Sequence, residues 1–430
     1  MAGLKIAVIG AGSSYTPELI GGFIKRKDEL QVEKLYLMDI NLSKLETVGN
    51  FAKKLLEKGG IKCEVVLTTD IVAAVRDVSF VLTQIRVGQL EARINDEKIP
   101  LKYDLIGQET VGIGGFMKAM RTIPVMKNIS DVVKAYAKPG AWIVNFTNPA
   151  GLVTEALLNY TSTNAIGLCN CPFSMSKDSL SRVPEGTKDV FIEYVGLNHL
   201  AWITSIYADG VEILQKQLSG QYDFTRMKNI PIIDYDDVLI RSACGVPNNY
   251  LTYYYYPERH LQKEKLEEKT RGEVCRDIEN ELMDMYADPN RVDIPELLSQ
   301  RGGGNYSEVA LSVVSAIVND KNERHIVNVR NEGALDFMAD DDVIEINCLV
   351  GAHGAKAIAV PNFANEHIKS LMRTVKSYEK YAVKAGLYGD YEAAINALMM
   401  NPLVGDFTKA KGALDEMLEV NKIYLPQFFK

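Results

Sequence analysis

The stretch KIAVIGAGSSY, Lys5 to Tyr15, decides the fold of this chain. Its opening run KIAVI predicts a short buried strand, because β-branched and apolar residues follow one another there without alternation. Gly10 and Gly12 then predict a turn tight enough for backbone N–H groups to face a ligand, and a helix is predicted to begin near Pro17. A strand, a glycine turn and a helix N-terminus together are typical of a pyrophosphate site. The pattern G-x-G-x-x-G is incomplete, because Tyr15 replaces its third glycine.

The composition limits the classes of protein to which this chain can belong. A chain of 430 residues is too long for one core of ordinary size, which predicts two domains. Its formal charge of −8 provides no basic field for nucleic acid or for an anionic membrane surface. No apolar run reaches the ~18 residues of a membrane span. Six cysteines without the spacing of a disulfide framework are typical of a reducing compartment, so we expect a cytoplasmic protein.

Predicted strands alternate with predicted helices through residues 1–170, which indicates a doubly wound parallel sheet of the Rossmann type. The strands are predicted at 5–9, 34–38, 63–67, 78–85, 141–146 and 165–168. We expect an α/β fold in which this dinucleotide-binding domain packs against an α+β domain over 171–430, an architecture like that of lactate and malate dehydrogenases. The second domain would carry the catalytic, substrate and oligomer contacts. Residues 86–121 are predicted as a loop-rich segment, and 264–286 as one long charged helix.

Several polar residues near the predicted strand ends are candidates for holding a dinucleotide. Ser13 and Ser14 follow the glycine turn and can cap the helix. Asp39 ends the second predicted strand, where a carboxylate can accept hydrogen bonds from ribose hydroxyls. A helix-cap or turn role would explain Asp39 equally well. Asn148, in the run NFTNPAG, follows another strand at the same edge, where open α/β sheets bind their ligands.

Cysteine, histidine and tyrosine side chains are the candidates for chemistry. Cys169 ends a strand at the same edge, and its thiolate could bind a metal with His199 as an imidazole partner. Taken alone, a buried cysteine is more often a small apolar side chain. Cys169 and Cys171 form C-x-C, which without a second pair does not indicate a structural zinc site. The tyrosines of 250–256 first suggest a packing surface, because a tyrosine acts as a base only where its pKa is lowered from about 10.

Nine runs, spread in order over nearly the whole chain, carry a resemblance to a known family. They are GAGSSYTPEL (10–19), NDEKIPLKYDLIGQETVGIGGF (95–116), NFTNPAG (145–151), GLCN (167–170), GLNHL (196–200), NYLTYYY (249–255), RGEV (271–274), RGGGNYS (301–307) and HIVNVRNEGAL (325–335). With them the chain resembles the NAD- and metal-dependent glycoside hydrolases of family 4. Tyr15, which breaks the general dinucleotide pattern, is the residue expected in this family.

The resemblance implies two cofactors. The contacts with NAD would fall on residues that follow predicted strands: Gly10, Gly12, Ser13, Ser14, Asp39 and Asn148. The divalent metal, usually manganese in this family, would be bound by Cys169 and His199.

The resemblance also implies the substrate contacts and the base. Arg93 and Asn148 would contact the sugar, and Arg271 would hold its 6-phosphate. Tyr250 would be the base, and it is chosen over Tyr253 because it opens the family pattern Y-L-x-Y-Y. The implied reaction proceeds by oxidation, elimination, addition of water and reduction, in contrast to glycosidases that use two carboxylates.

Asn170 bears on the anomer of the substrate. Members of the family that act on α-linked 6-phosphoglucosides usually carry aspartate after the metal-binding cysteine, so Asn170 predicts 6-phospho-β-glucosides, such as cellobiose 6-phosphate. The alternatives are a 6-phospho-α-glucosidase, an α-galactosidase or an α-galacturonidase of this family, a 2-hydroxy-acid dehydrogenase, or a non-catalytic NAD-binding sensor. The family further implies a homodimer or homotetramer, with a phosphorylated sugar as ligand and without nucleic acid or membrane partners.

Overall fold

The computed structural model describes residues 3–218, 229–302 and 304–429, so that Gly303 of the RGGGNYS run lies outside the described residues. Within these ranges the strands, β1 to β13 in chain order, are Leu4–Ile9, Val32–Met38, Glu64–Thr68, Phe80–Thr83, Trp142–Asn145, Asn164–Gly167, Val190–Leu197, Leu200–Ala208, Val211–Glu212, Val246–Pro247, Glu323–Arg330, Val343–Gly351 and Gly354–Ala357. The helices, α1 to α16, are Thr16–Lys25, Leu42–Lys58, Ile71–Val75, Gln89–Lys98, Gly112–Tyr136, Ala150–Tyr160, Cys171–Leu180, Leu214–Gln217, Asp237–Ala243, Leu251–Tyr255, Pro257–Leu266, Arg271–Ala287, Tyr306–Val318, Glu366–Tyr388, Tyr391–Met400 and Phe407–Val420. Short 3-10 turns occupy Pro100–Tyr103, Glu296–Arg301, Lys422–Tyr424 and Pro426–Phe428.

The strands of the first half form a parallel sheet in the order β3-β2-β1-β4-β5-β6. This is the strand order of doubly wound dinucleotide-binding folds, and it confirms the predicted fold class. The register places Met38, Ile9, Thr83, Asn145 and Gly167 in one row across the sheet. Because these residues end their strands, the segments that follow them leave the sheet at one edge.

The sheet continues beyond β6 into the second half, in the order β6-β11-β12-β7-β8-β10. These strands pair antiparallel, beginning with Asn328 of β11 opposite Gly167 of β6. The β7–β8 hairpin turns at Asn198 and His199, and His199 adopts a positive φ of 65°. The predicted domain boundary at 170/171 falls between β6 and α7 and stays a prediction.

Apolar side chains cover both faces of the parallel sheet. Alternate residues of β1 enter two different clusters of buried side chains, with Ile6 and Val8 in one cluster and Ala7 and Ile9 in the other. Burial on both faces explains why β1 is a continuous apolar run. The first cluster also contains Leu311 of α13, so the two halves share a core. Among the described helices, none combines the length and the apolarity that a bilayer crossing requires.

The prediction of a loop-rich segment at 86–121 was wrong. Most of this segment is helical, since it comprises α4, a 3-10 turn and the start of α5. Four of its charged residues, namely Arg93, Asp96, Glu97 and Arg121, are buried, and they form the ion pairs Arg93–Glu97 and Asp96–Arg121. Buried charges remove the alternation of apolar and polar residues from which an amphipathic helix is predicted.

The prediction of one long helix at 264–286 was also wrong. The chain forms two helices there, α11 and α12, which are separated at 267–270. Thr270 starts the second helix through a capping box, because its side chain accepts from the N–H of Glu273 while the Glu273 carboxylate accepts from the N–H of Thr270.

Candidate active site

The glycine turn after β1 begins the candidate site at the carboxyl edge of the sheet. Gly10 has a φ of 90°, and a Cβ there would lie 2.8 Å from the carbonyl oxygen of Gln84, so the turn requires glycine. The N–H of Gly12 donates to Asp39 Oδ2 at 2.9 Å, and the N–H of Asn41 donates to Asp39 Oδ1 at 2.9 Å. Asp39 is therefore fixed beside the glycines, with lone pairs left for a ribose hydroxyl. Its contact with a cofactor stays a prediction.

We expect Gly12→Ala to weaken NAD binding by about tenfold or more, because displacing the Asp39 carboxylate forfeits a hydrogen bond to the ribose of about 1.5–3 kcal/mol, or roughly 10- to 150-fold in Kd. A Cβ on residue 12 would lie 2.9 Å from the Asp39 carboxylate, which cannot turn away without losing both backbone hydrogen bonds. Calorimetric titration with NAD measures the change. Gly21→Ala in α1 is the control, since its Cβ would meet the terminal methyl of Ile294. An unchanged Kd for Gly12→Ala would contradict the expectation.

Ser13 and Ser14 differ in their surroundings. Ser13 Oγ accepts a hydrogen bond from the N–H of Tyr15 at 3.3 Å, within the turn. Ser14 is fully buried, and its Oγ accepts a hydrogen bond from Arg301 Nε at 3.0 Å. Arg301 also donates to Glu279 at 2.9 Å, and its guanidinium lies 5.2 Å from the centroid of the Tyr15 ring. A cation from the second half is thus built into the glycine turn. Its role was not predicted, although Arg301 opens the run RGGGNYS.

Cys169, Cys171 and His199 converge, since one sulfur or ring nitrogen atom from each lies within 4.8 Å of the other two. Cys169 follows β6, Cys171 begins α7, His199 lies in the β7–β8 turn, and all three are buried. Hydrogen bonding from Cys171, together with the neighbouring His199, holds the pKa of the Cys169 thiol well below its usual value against the effect of burial. Thiolate and imidazole are ligands of divalent transition metals, so these residues fit a divalent metal site. Their role as ligands stays a prediction.

Tyr250 lies directly on the His199 ring. The two rings stack with centroids 3.9 Å apart and an interplanar angle of 18°. Burial, together with the two neighbouring thiols, raises the pKa of Tyr250 well above its usual value, while a hydrogen bond with Thr110 acts in the opposite direction. Tyr253 stacks instead on His260, at a centroid distance of 3.9 Å. Of the two candidate bases, Tyr250 is the one beside the candidate metal ligands.

Arg93 belongs to a buried cluster of charges around Glu109. Arg93 donates to Glu97 at 2.7 Å and pairs with Glu109 at 2.9 Å. Glu109 also pairs with Lys118 at 2.8 Å and with Arg86. Burial would raise the pKa of Glu109, but its three cations hold that pKa well below its usual value, whereas burial and Arg86 lower the pKa of Lys118 to about 7. Glu109 was not predicted as a site residue, although it lies in the run IGQETVGIGG.

Asn148 follows β5 at the same edge of the sheet. Its Oδ1 is buried and has no hydrogen-bond partner within the described part of the chain. The adjacent Thr147 fixes this segment, because its Oγ accepts a hydrogen bond from the N–H of Ile85 at 3.0 Å. A buried polar atom without a partner needs one, and a bound ligand would supply it. Contact of Asn148 with sugar or cofactor stays a prediction.

Arg271 is the first residue of α12 and is half-buried. Its guanidinium donates to Asn229 Oδ1 at 3.1 Å and to the carbonyl oxygen of Gln300 at 2.7 Å. The N–H of the next residue donates to Glu97 at 2.6 Å, and Glu97 is the partner of Arg93. Glu97 therefore joins the Arg93 guanidinium to the backbone next to Arg271.

The structure thus brings the predicted metal ligands, the predicted base and the two predicted arginines into two neighbouring groups. One group contains the candidate metal ligands with Tyr250, and the other contains Arg93 with Arg271. Thr110 connects the groups, because it hydrogen-bonds Tyr250 and follows Glu109 in the chain.

Both halves of the chain match models of one family. Residues 5–183 match the model described as Family 4 glycosyl hydrolase, and residues 194–404 match the Family 4 glycosyl hydrolase C-terminal domain. The similarity to malate dehydrogenase from Plasmodium falciparum concerns the fold alone, with a TM-score of 0.52 at 11% identity over 89% of this chain and 99% of that chain.

Individual relatives match over the full length. The chain is 38% identical over 440 residues to the 6-phospho-beta-glucosidase of Escherichia coli (strain K12), and the alignment covers 99% of this chain and 97% of that protein. It superposes with a TM-score of 0.88 on the 6-phospho-beta glucosidase from Thermotoga maritima with NAD and glucose-6-phosphate, at 35% identity over 98% of this chain and 99% of that chain. The Thermotoga maritima protein has also been solved with manganese, NAD+ and glucose-6-phosphate. With both family models matched and this identity over the whole length, the chain belongs to glycosyl hydrolase family 4.

Proposed function

We propose that this chain hydrolyses 6-phospho-β-glucosides to glucose 6-phosphate and an aglycone, with bound NAD and a divalent metal such as manganese. The observation that carries the proposal is the stacking of Tyr250 on His199, beside Cys169, at the edge of a dinucleotide-binding sheet. The names and bound molecules of the relatives from Escherichia coli and Thermotoga maritima support the same substrate class. Asn170, in place of the aspartate of α-specific members, supports the β-anomer.

The candidate site offers a place for each cofactor. Bound together, NAD and the metal supply oxidation at sugar carbon 3 and polarisation of the resulting ketone. No side chain caps the N-terminus of α1, and the positive end of its dipole, with the adjoining glycine turn, is proposed to face the pyrophosphate. Arg301 adds positive charge behind this turn. The buried sulfur and nitrogen donors of Cys169 and His199 suit a transition metal.

Tyr250 is proposed to take the proton from carbon 2 of the sugar, after which the group at carbon 1 leaves. Burial keeps its phenol protonated in the unliganded chain, so the base function requires positive charge beside the hydroxyl, which the bound cofactors bring. Asn170 cannot donate a carboxylic proton, and its Nδ2 donates to the carbonyl oxygen of Gly304 at 3.2 Å. The leaving group therefore departs without a carboxylic acid at this position.

Arg93, Asn148 and Arg271 are proposed to bind the substrate. The unpartnered Oδ1 of Asn148 can accept a hydrogen bond from a sugar hydroxyl. Arg271 suits the 6-phosphate, because a guanidinium can donate two parallel hydrogen bonds to phosphate. Its place at the start of α12 adds the positive end of the helix dipole. Since its present acceptors are an amide and a carbonyl, a phosphate would replace neutral partners by a charged one.

The direct test uses an aryl 6-phospho-β-glucoside and its α-anomer as substrates. Each substrate is incubated with the protein, NAD and Mn²⁺ under reducing conditions. We expect release of the aglycone from the β-anomer, loss of turnover when the divalent metal is removed by chelation, and no net rise of absorbance at 340 nm. Hydrolysis of the α-anomer alone would overturn the anomer assignment. Absence of hydrolysis of both would overturn the proposal, and net NADH formation would point to a dehydrogenase.

We also propose that the protein acts in the cytoplasm as a homodimer or homotetramer. No disulfide links the six cysteines of the described chain, which supports a reducing compartment. The oligomer is supported by the family alone. Light scattering after size-exclusion chromatography tests it, and a mass of one chain would overturn it.

A further inference from the structure

Cys171 is the third donor at the candidate metal site, and the proposed function does not use it. Its sulfur lies within 4.8 Å of the Cys169 sulfur and of a ring nitrogen of His199, and its side chain is 1% exposed. The geometry points to Cys171 as a third protein ligand, which makes a site of two cysteines and one histidine that favours Zn²⁺ and Co²⁺ over Mn²⁺. This inference rests on the metal site of the proposed function.

The three donors suit a catalytic metal site. Three protein ligands with one open position are typical of catalytic zinc, and two cysteines with one histidine are a known donor set. Metal–sulfur bonds of about 2.3 Å at tetrahedral angles hold two sulfurs roughly 3.8 Å apart, so donors within 4.8 Å reach this arrangement by shifts of about 1 Å or less. The fourth position remains for an oxygen of the substrate.

The backbone at Cys171 holds both sulfurs on the same turn. The N–H of Cys171 donates to the Cys169 sulfur at 3.5 Å, and Pro172 follows in the first turn of α7. On the other side, the N–H of Leu168 donates to the carbonyl oxygen of Asn145, which anchors the segment to the sheet at 2.8 Å. The independent observation is the approach of His199, which comes from the β7–β8 turn and has a ring nitrogen within 4.8 Å of both sulfurs.

The identity of the ligands decides the metal. Mn²⁺ prefers oxygen ligands and six-fold coordination, whereas Zn²⁺ and Co²⁺ bind thiolate and imidazole in tetrahedral sites. Two thiolates also balance the double charge of the ion, which matters because the site is buried. A second thiolate therefore increases the affinity for Zn²⁺ and Co²⁺ far more than the affinity for Mn²⁺.

The inference is tested by titrating the reduced, metal-free protein with Co²⁺. The sulfur-to-cobalt charge-transfer absorption is the signal that reports binding by thiolates. For Cys171→Val we expect about half of the wild-type intensity, because one thiolate ligand remains of two. We expect its affinities for Co²⁺ and Zn²⁺ to fall at least tenfold. Loss of a residue that only hydrogen-bonds a metal ligand already lowers metal affinity by about tenfold, and loss of a ligand itself costs at least as much. The Mn²⁺ affinity is expected to change less than about threefold. Cys171→Ser, which preserves the side-chain size, repeats the comparison if the valine variant misfolds.

Two controls separate this inference from the proposed function. Cys169→Ala removes a ligand that the proposed function requires, and Cys63→Ser changes a half-buried thiol just before β3, at the far edge of the sheet. Wild-type absorption in Cys171→Val, combined with a loss in Cys169→Ala, would overturn the third ligand and leave the proposed metal site standing. Absence of the band in the wild-type protein would overturn both. Reduced intensity in Cys63→Ser would assign the band to other thiols and also overturn the inference.

Discussion

Replacement of Tyr250 by phenylalanine is expected to lower hydrolysis of a 6-phospho-β-glucoside by about 10²- to 10⁴-fold, the range that a positioned general base contributes. The substitution removes the hydroxyl and preserves the ring that stacks on His199 at 3.9 Å. The candidate metal ligands and the glycine turn therefore keep their geometry. NAD binding, measured by titration, is expected to change little. Exchange of deuterium from solvent into carbon 2 of the substrate is expected to disappear, because that step needs the base.

Tyr253→Phe is the matched control for this prediction. Tyr253 is buried and lies in the short helix that follows Tyr250, but its ring stacks on His260 rather than on His199. We expect it to retain hydrolysis and deuterium exchange. Deuterium exchange at the wild-type rate in Tyr250→Phe would show that Tyr250 is not the base. If Tyr253→Phe then lost deuterium exchange, Tyr253 would be the base instead.

Local chemistry made part of the fold predictable from the sequence. The helices Leu42–Lys58 and Ile71–Val75 begin at local signals, because the side chains of Asn41 and Asp70 cap their N-termini. The glycine turn could likewise be predicted, since a φ of 90° at Gly10 requires glycine. In each case the residues that determine the structure are neighbours in the chain.

Contacts between distant residues could not be predicted in this way. Arg301 reaches Ser14 across 287 positions, and no local pattern around either residue indicates the pair. Glu109 is recognisable as a site residue only together with the three cations around it. Cys171 in a C-x-C run was judged insufficient for a metal site, and only folding brings His199 to the same two sulfurs. Family resemblance supplied the remaining roles, which the residues alone left open.

The buried charges that obscured the helices of 86–121 also give the largest expected effect on stability. Asp96→Ala is expected to lower the free energy of unfolding by about 3–5 kcal/mol, the cost of leaving one charge of a buried pair uncompensated. Asp96 and Arg121 are 0% and 1% exposed, and two nitrogens of Arg121 donate to the two carboxylate oxygens at 2.8 and 2.5 Å. Arg121 also donates to Asn421 at 3.0 Å, so the pair connects α4 and α5 to the end of α16. Urea unfolding without NAD measures the loss.

A surface pair on the same helix is the control for the buried one. Asp131→Ala removes the exposed contact between Lys127 and Asp131 in α5, and it is expected to cost less than about 1 kcal/mol. Combining Asp96→Ala with Arg121→Met is expected to recover most of the lost stability, because no charge then remains buried without a partner. A single-variant loss as small as that of the surface pair would mean that water reaches Arg121. If the double variant were as unstable as Asp96→Ala, the stability would be lost through the packing and hydrogen bonds of the two side chains and not through an uncompensated buried charge.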